Sequence, residues 1–136
     1  PRDSGSTPVI QLESAMGAAI GSIPGARAVH VPRSRFAPVK TTDDLIVVRS
    51  DAYELTSDGH MRPDFEGEEP VATLDKAYYK LLSDFEQRFP AGAPSLRRCR
   101  RFEVDGDVTF GADVVAVGDV RVTGPRHVPD GAVLGG

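Results

Sequence analysis

From Phe102 onward, apolar residues recur at every sixth position of the chain. One register holds Phe102, Val108, Val114 and Val120, and a second runs through Val104, Phe110, Ala116, Val122, Val128 and Leu134. Gly106, Ala112, Gly118 and Gly124 keep the same step and are followed by Asp107, Asp113, Asp119 and Pro125. A flat strand alternates with period two and has no need of a turn at every sixth residue. A parallel β-helix built of hexapeptide sides needs both the inward apolar position and the turn. Antiparallel hairpins are the competing reading. Three sides make one coil, so the stretch holds about two coils, fewer than the roughly three repeats that a solenoid needs to be stable alone. It is expected to lean on the helices before it or on another subunit.

Upstream the period is helical. Ser6 or Thr7 offers an N-cap and Pro8 suits a first turn, after which Leu12, Met16, Ala19, Ile20 and Ile23 form one stripe that Pro24 and Gly25 end. Gly17 and Gly21 inside that stripe imply either a helix that ends earlier than the stripe or, the favoured reading, very close packing. Residues 28–31 read as a short buried strand ended by Pro32. Capping groups from Thr41 to Asp44 then open a helix through Leu45 and Val48 toward Ala52. Residues 53–69 read as a surface excursion, and residues 74–89 return to helical spacing with Tyr78, Leu81, Leu82 and Phe85 on one face.

Charge and composition narrow the function classes. Lys and Arg total 16 against 20 for Asp and Glu, a net charge of −4 in 136 residues, so no overall positive field gathers nucleic acid or anionic lipid. The single cysteine, Cys99, makes no internal disulfide, and no apolar run is long enough to span a bilayer. With nothing resembling a signal peptide, the expectation is a cytoplasmic protein without membrane contact. His30, His60 and His127 share no metal-ligand spacing with one another or with Cys99. The step of Asp107, Asp113 and Asp119 suits turns rather than calcium. Strand alternation would divide Arg97, Arg98, Arg100 and Arg101 between two faces, giving a solvated edge and no activated thiol at Cys99.

One segment concentrates candidate chemistry. Arg33, Arg35 and Lys40 lie within eight residues, punctuated by Pro32 and Pro38, just before a helix start. Oriented N–H groups and a partial positive charge at that start, with lysine beside them, make a phosphate cradle. The plain alternative is a solvated basic loop in front of a capped helix.

The string VPRSRFAPVKTTDDL at residues 31–45 closely resembles the VPRSRFxPVKTTxDL segment of the eukaryotic-type UDP-glucose pyrophosphorylases, a family of UTP–glucose-1-phosphate uridylyltransferases. QLESAMGAAI at residues 11–20 resembles the family's QLExAxGAAI helix, and GDVTFG at residues 106–111 resembles the start of its β-helix tail. The resemblance implies an α/β fold: residues 1–95 as the trailing part of a Rossmann-like nucleotidyltransferase domain, and residues 96–136 as a short left-handed parallel β-helix. It implies formation of UDP-glucose and pyrophosphate from UTP and glucose 1-phosphate with Mg²⁺, whose ligands are expected outside this chain. Lys40 takes the family's catalytic and substrate-binding lysine position, and Arg33 and Arg35 are further substrate-binding candidates. Gln11, Glu13 and Cys99 receive no role.

The family's glycine-rich nucleotide loop, uracil-reading residues and metal-binding Asp should precede Pro1. The chain is therefore expected to be inactive without the remainder of the catalytic domain. A homo-oligomer through the β-helix is a further expected partner. Two alternatives share these features: a related UDP-N-acetylhexosamine pyrophosphorylase, and a non-catalytic β-helix assembly module. A hexapeptide acyltransferase would need more coils and a catalytic histidine, for which only His127 is available.

Overall fold

A computed structural model describes Ile10, residues 16–31 and residues 38–136, and the chain divides into two compact units, Pro1–Val31 and Pro32–Gly136. In the first unit the described helix is a 3-10 helix, Met16–Ser22. A Cβ added at Gly17 or Gly21 would meet nothing within 4 Å, and Ile20 and Ile23 are exposed. Close packing of that stripe is therefore not found among the described residues. The expected cap at Ser6 or Thr7 and the position of Leu12 lie outside them. Residues 28–31 form no strand, and Val29 is 85% exposed. A strand exists only with a partner to complete its ladder, and among the described residues of this unit there is no other extended segment paired with it.

The second unit is mixed α/β with parallel sheets. Helix α1 (Thr42–Arg49) buries Ile46 and Val47, one position away from the anticipated face. It stops at Ser50, whose N–H bonds to the carbonyls of Ile46 and Val47 and whose hydroxyl donates to Val47 O (2.7 Å) and accepts from the Ala52 N–H (3.1 Å). Ala52 is buried just beyond the helix. The surface excursion carries an antiparallel hairpin, β1 (Tyr53–Leu55) with β2 (Met61–Pro63).

Strand β3 (Val71–Leu74) leads into α2 (Lys76–Tyr79) and α3 (Leu82–Arg88). The single helix expected over residues 74–89 is broken at Leu81, which is extended at φ −90°, ψ 147°. The break moves the buried face to Tyr79, Phe85 and Phe89 and leaves Leu81 and Leu82 exposed at 60% and 51%. Its cause is tertiary. Tyr79 donates its hydroxyl to Val108 O (2.6 Å), Phe89 stacks on Phe110 at 4.8 Å, and one straight helix cannot present all three rings to the same wall.

That wall is the C-terminal sheet system: β4 (Ser95–Asp105), β5 (Val108–Phe110), β6 (Val115–Thr123), β7 (Arg126–Val128) and β8 (Val133–Gly135). Strands order as β3-β4-β6-β8 in one parallel sheet and β5-β7 in another. Phe102 lies opposite Val120, Val108 opposite Arg126 and Val115 opposite Val133, each pair eighteen residues apart, which is three sides of six. Hairpins are excluded over this stretch because every one of these pairings is parallel. Both six-step registers point inward: Phe102, Val104, Val108, Phe110, Val114, Ala116, Val120, Val122 and Val128 are buried, and Leu134 is half-buried at the end of the last strand.

The first side begins earlier than the pattern suggested. Leu96 and Cys99 are also buried, and register shifts between Ser95 and Arg98 and between Cys99 and Arg101 break the alternation. Arg97, Arg98, Arg100 and Arg101 consequently all stay outside, rather than dividing between two faces. Buried residues of α1, α2 and α3 belong to the same core as the sheets.

Candidate functional site

Lys40 is exposed in the short segment without regular secondary structure that enters α1. The N-cap of α1 is Thr41, with extended backbone at φ −136°, ψ 173°, and its carbonyl accepts the Leu45 N–H at 3.1 Å. Asp44, three residues into the motif Thr41-x-x-Asp44, turns back over the helix start. One carboxylate oxygen, Oδ2, accepts the N–H of Lys40 (2.8 Å), the N–H of Thr41 (2.9 Å) and the Thr41 hydroxyl (3.3 Å). This is the return half of a capping box, an acid at the third helical position closing on the cap backbone. The N–H bond from Lys40, followed by that from Thr41, holds the Asp44 carboxyl below the usual carboxylate range.

The neighbouring carboxylate reaches the other way. Asp43 Oδ1 accepts the Leu74 N–H at 2.9 Å and so joins the first turn of α1 to the end of β3. Asp75 follows at once. It caps α2 by accepting from the Ala77 N–H (2.9 Å), and its second oxygen accepts the Gly106 N–H (2.9 Å). A continuous set of backbone-to-carboxylate bonds thus runs from Lys40 to the first turn of the sheet system.

This geometry changes the cradle expected from the sequence. The amides of Lys40 and Thr41 are already bonded to Asp44, so they do not face an added anion. What the segment offers instead is an exposed ammonium on a firmly held backbone. Arg33 and Arg35 lie outside the described residues, as do Gln11 and Glu13.

Other candidates have structural roles in the described residues. Arg97 pairs with Asp64 at 3.0 Å, Arg100 with Asp119, and Arg101 with Glu103 at 3.6 Å. Cys99 is 2% exposed and donates Sγ–H to Gly118 O, and burial pushes its thiol up to about 11. His60 contacts Asp58 across the hairpin turn, while His30 and His127 are exposed. Among the described residues no group of three or more His, Cys, Asp or Glu is arranged to hold a metal, and no helix is long and apolar enough to cross a membrane. The Asp43–Asp44 pair is the element that sequence reading left as undifferentiated capping groups, although the Thr41-x-x-Asp44 spacing carries its signal.

The family model described as UTP–glucose-1-phosphate uridylyltransferase matches residues 2–116. The chain belongs to this family. A UTP–glucose-1-phosphate uridylyltransferase of Hordeum vulgare is 38% identical over 141 residues, covering 98% of this chain and 29% of the barley protein. Among solved structures, a UDP-glucose phosphorylase from Trypanosoma brucei superposes with a TM-score of 0.81 at 46% identity, over 98% of this chain and 30% of that one. A mutant UDP-glucose pyrophosphorylase of Leishmania major in complex with UDP-glucose gives 0.80 at 46% identity, over 98% and 29%. This uridylyltransferase-family chain therefore spans 29% of the length of the barley relative it matches. Membership favours neither the N-acetylhexosamine alternative nor the assembly module.

Proposed function

We propose that this chain forms the later part of an enzyme that makes UDP-glucose and pyrophosphate from UTP and glucose 1-phosphate, and that Lys40 is its catalytic lysine. The observation that carries the reading is the exposed ammonium of Lys40, on a backbone bonded to Asp44, within the matched family region. In the reaction a phosphate oxygen of glucose 1-phosphate attacks the α-phosphorus of UTP. The bond from that phosphorus to the bridging oxygen breaks, and pyrophosphate leaves. A compact, mobile point charge such as an ammonium stabilises negative charge that grows on the phosphoryl oxygens during such a transfer.

Arg33 and Arg35 are proposed as further substrate-binding groups. Mg²⁺ is proposed as the cofactor, with its ligands outside the described residues, which hold no group of three or more His, Cys, Asp or Glu arranged for a metal. Residues 1–95 are proposed as the trailing part of the nucleotidyltransferase domain and residues 96–136 as a left-handed β-helix. The eighteen-residue repeat of parallel pairings supports the coil. A homo-oligomer through the β-helix and a cytoplasmic location are proposed with it; β8 is an edge strand of its sheet and Val133 on it is 65% exposed.

The test is steady-state kinetics on the polypeptide that carries this segment together with the nucleotide-binding region. Lys40→Ala should lower kcat by on the order of 10²- to 10³-fold while the melting temperature stays close to that of the unmodified enzyme. Near-normal turnover would make Lys40 an ordinary solvated residue.

A further inference from the structure

The first turn of α1 carries two adjacent carboxylates that pull on different parts of the chain, Asp44 on the Lys40–Thr41 backbone and Asp43 on the end of β3. We propose that Asp44 is a positioning residue for Lys40, with Asp43 anchoring the same helical turn to the parallel sheet. The inference rests on the catalytic reading of Lys40 given above.

A lysine side chain has a flexible stem with four rotatable bonds, so the region its ammonium can reach is set by the backbone from which it leaves. At Lys40 that backbone is held by one atom. Asp44 Oδ2 receives both consecutive amides, 2.8 Å and 2.9 Å away, and so sets the orientation of the peptide unit joining Lys40 to Thr41. Asp44 needs a fixed base, and Asp43 provides it at 2.9 Å from the Leu74 amide, in a strand paired with β4 through four residues. The backbone that carries the ammonium is thereby referred to the sheet system.

A plain capping role would explain the same hydrogen bonds, and the two roles part company in kinetics. Capping acts on stability whether or not Lys40 is present, whereas positioning acts on turnover only through Lys40. A misplacement of about 1 Å costs up to about 10²-fold in rate, so Asp44→Ala should lower kcat by about 10- to 100-fold. KM for UTP and glucose 1-phosphate should change little. Asp44→Asn, which keeps an oxygen able to accept both amides, should recover most of the loss.

The decisive measurement is a double-mutant cycle in the enzyme carrying the nucleotide-binding region. If Asp44 works through Lys40, adding Asp44→Ala to Lys40→Ala lowers kcat no further. The same loss in both backgrounds, or no loss in either, overturns the proposal. If Lys40→Ala itself is near normal, the catalytic reading fails first and this inference goes with it. Should Asp44→Ala fail to fold, Asp44→Glu keeps the acid that a capping box favours while moving the carboxylate by one methylene. A lower kcat at unchanged melting temperature, absent in the Lys40→Ala background, supports positioning; an unchanged kcat overturns it.

Discussion

Asp44 shows how a single side chain ties acidity to structure. Its folded carboxyl titrates below the ordinary 3.8 because the Lys40 and Thr41 amides bond to the charged form. A depressed folded value contributes stability that is complete above the unfolded value and is lost as pH falls through the folded one. The stability difference between the unmodified chain and Asp44→Asn should therefore be constant near neutral pH and shrink below about pH 4. Denaturant titrations at a series of pH values check this, and a difference that grows on acidification contradicts it. Cys99 makes the opposite case: with burial raising its thiol from 9.0 to about 11, alkylation should be slow in the native chain and accelerate sharply on unfolding. Labelling at pH 8 with and without denaturant reads this directly, and equal rates would mean that the thiol is reachable in the folded state.

At the scale of elements, the parallel sheets depend on inward positions and on tight approaches at the turns between strands. Phe110 is fully buried between Phe89 and Phe102, so Phe110→Ala should cost about 3–5 kcal/mol, whereas Val133→Thr at an exposed position should cost within about 0.5 kcal/mol. Gly124 lies against the next corner, where an added Cβ would meet the Asp107 carbonyl oxygen at 2.5 Å. Backbone cannot move aside as a side chain can, so Gly124→Ala should lower the unfolding midpoint clearly. An unshifted midpoint would show that the corner has room. Arg88 reinforces the same region by pairing with Asp107 at 2.9 Å and donating to Asp84 O at 3.1 Å.

At the scale of the second unit as a whole, the parallel sheets and the helices share one core. Tyr79, Phe85 and Phe89 close one side of the space that Phe102 and Phe110 fill from the other. A segment beginning near Arg97 loses the rings of Tyr79, Phe85 and Phe89 together with Leu74 and Leu96. It should show no cooperative thermal transition as a monomer; a sharp transition at high temperature would show that the C-terminal sheets are self-sufficient. The chain of carboxylate bonds from Lys40 through Asp44, Asp43 and Asp75 to Gly106 also belongs to this scale, since it places the candidate lysine relative to the sheets.

The six-residue step was readable without coordinates because an inward position and a corner recur at fixed intervals of sequence, and local steric demands repeat with them. The helix start after Lys40 was readable for a related reason: capping residue types in a fixed order satisfy the free amides of a first turn. Other features depended on partners distant in sequence. The break at Leu81 follows from where Val108 and Phe110 receive Tyr79 and Phe89, and the outward turn of all four arginines follows from register shifts against β6. Exposure of Val29 reflects the same limit, since an apolar run becomes a strand only when another strand is beside it. The use of Asp44 against the Lys40 amide was latent in the Thr41-x-x-Asp44 spacing. Its link through Asp43 to β3 was decided by tertiary structure alone, because Leu74 lies thirty-one residues away along the chain.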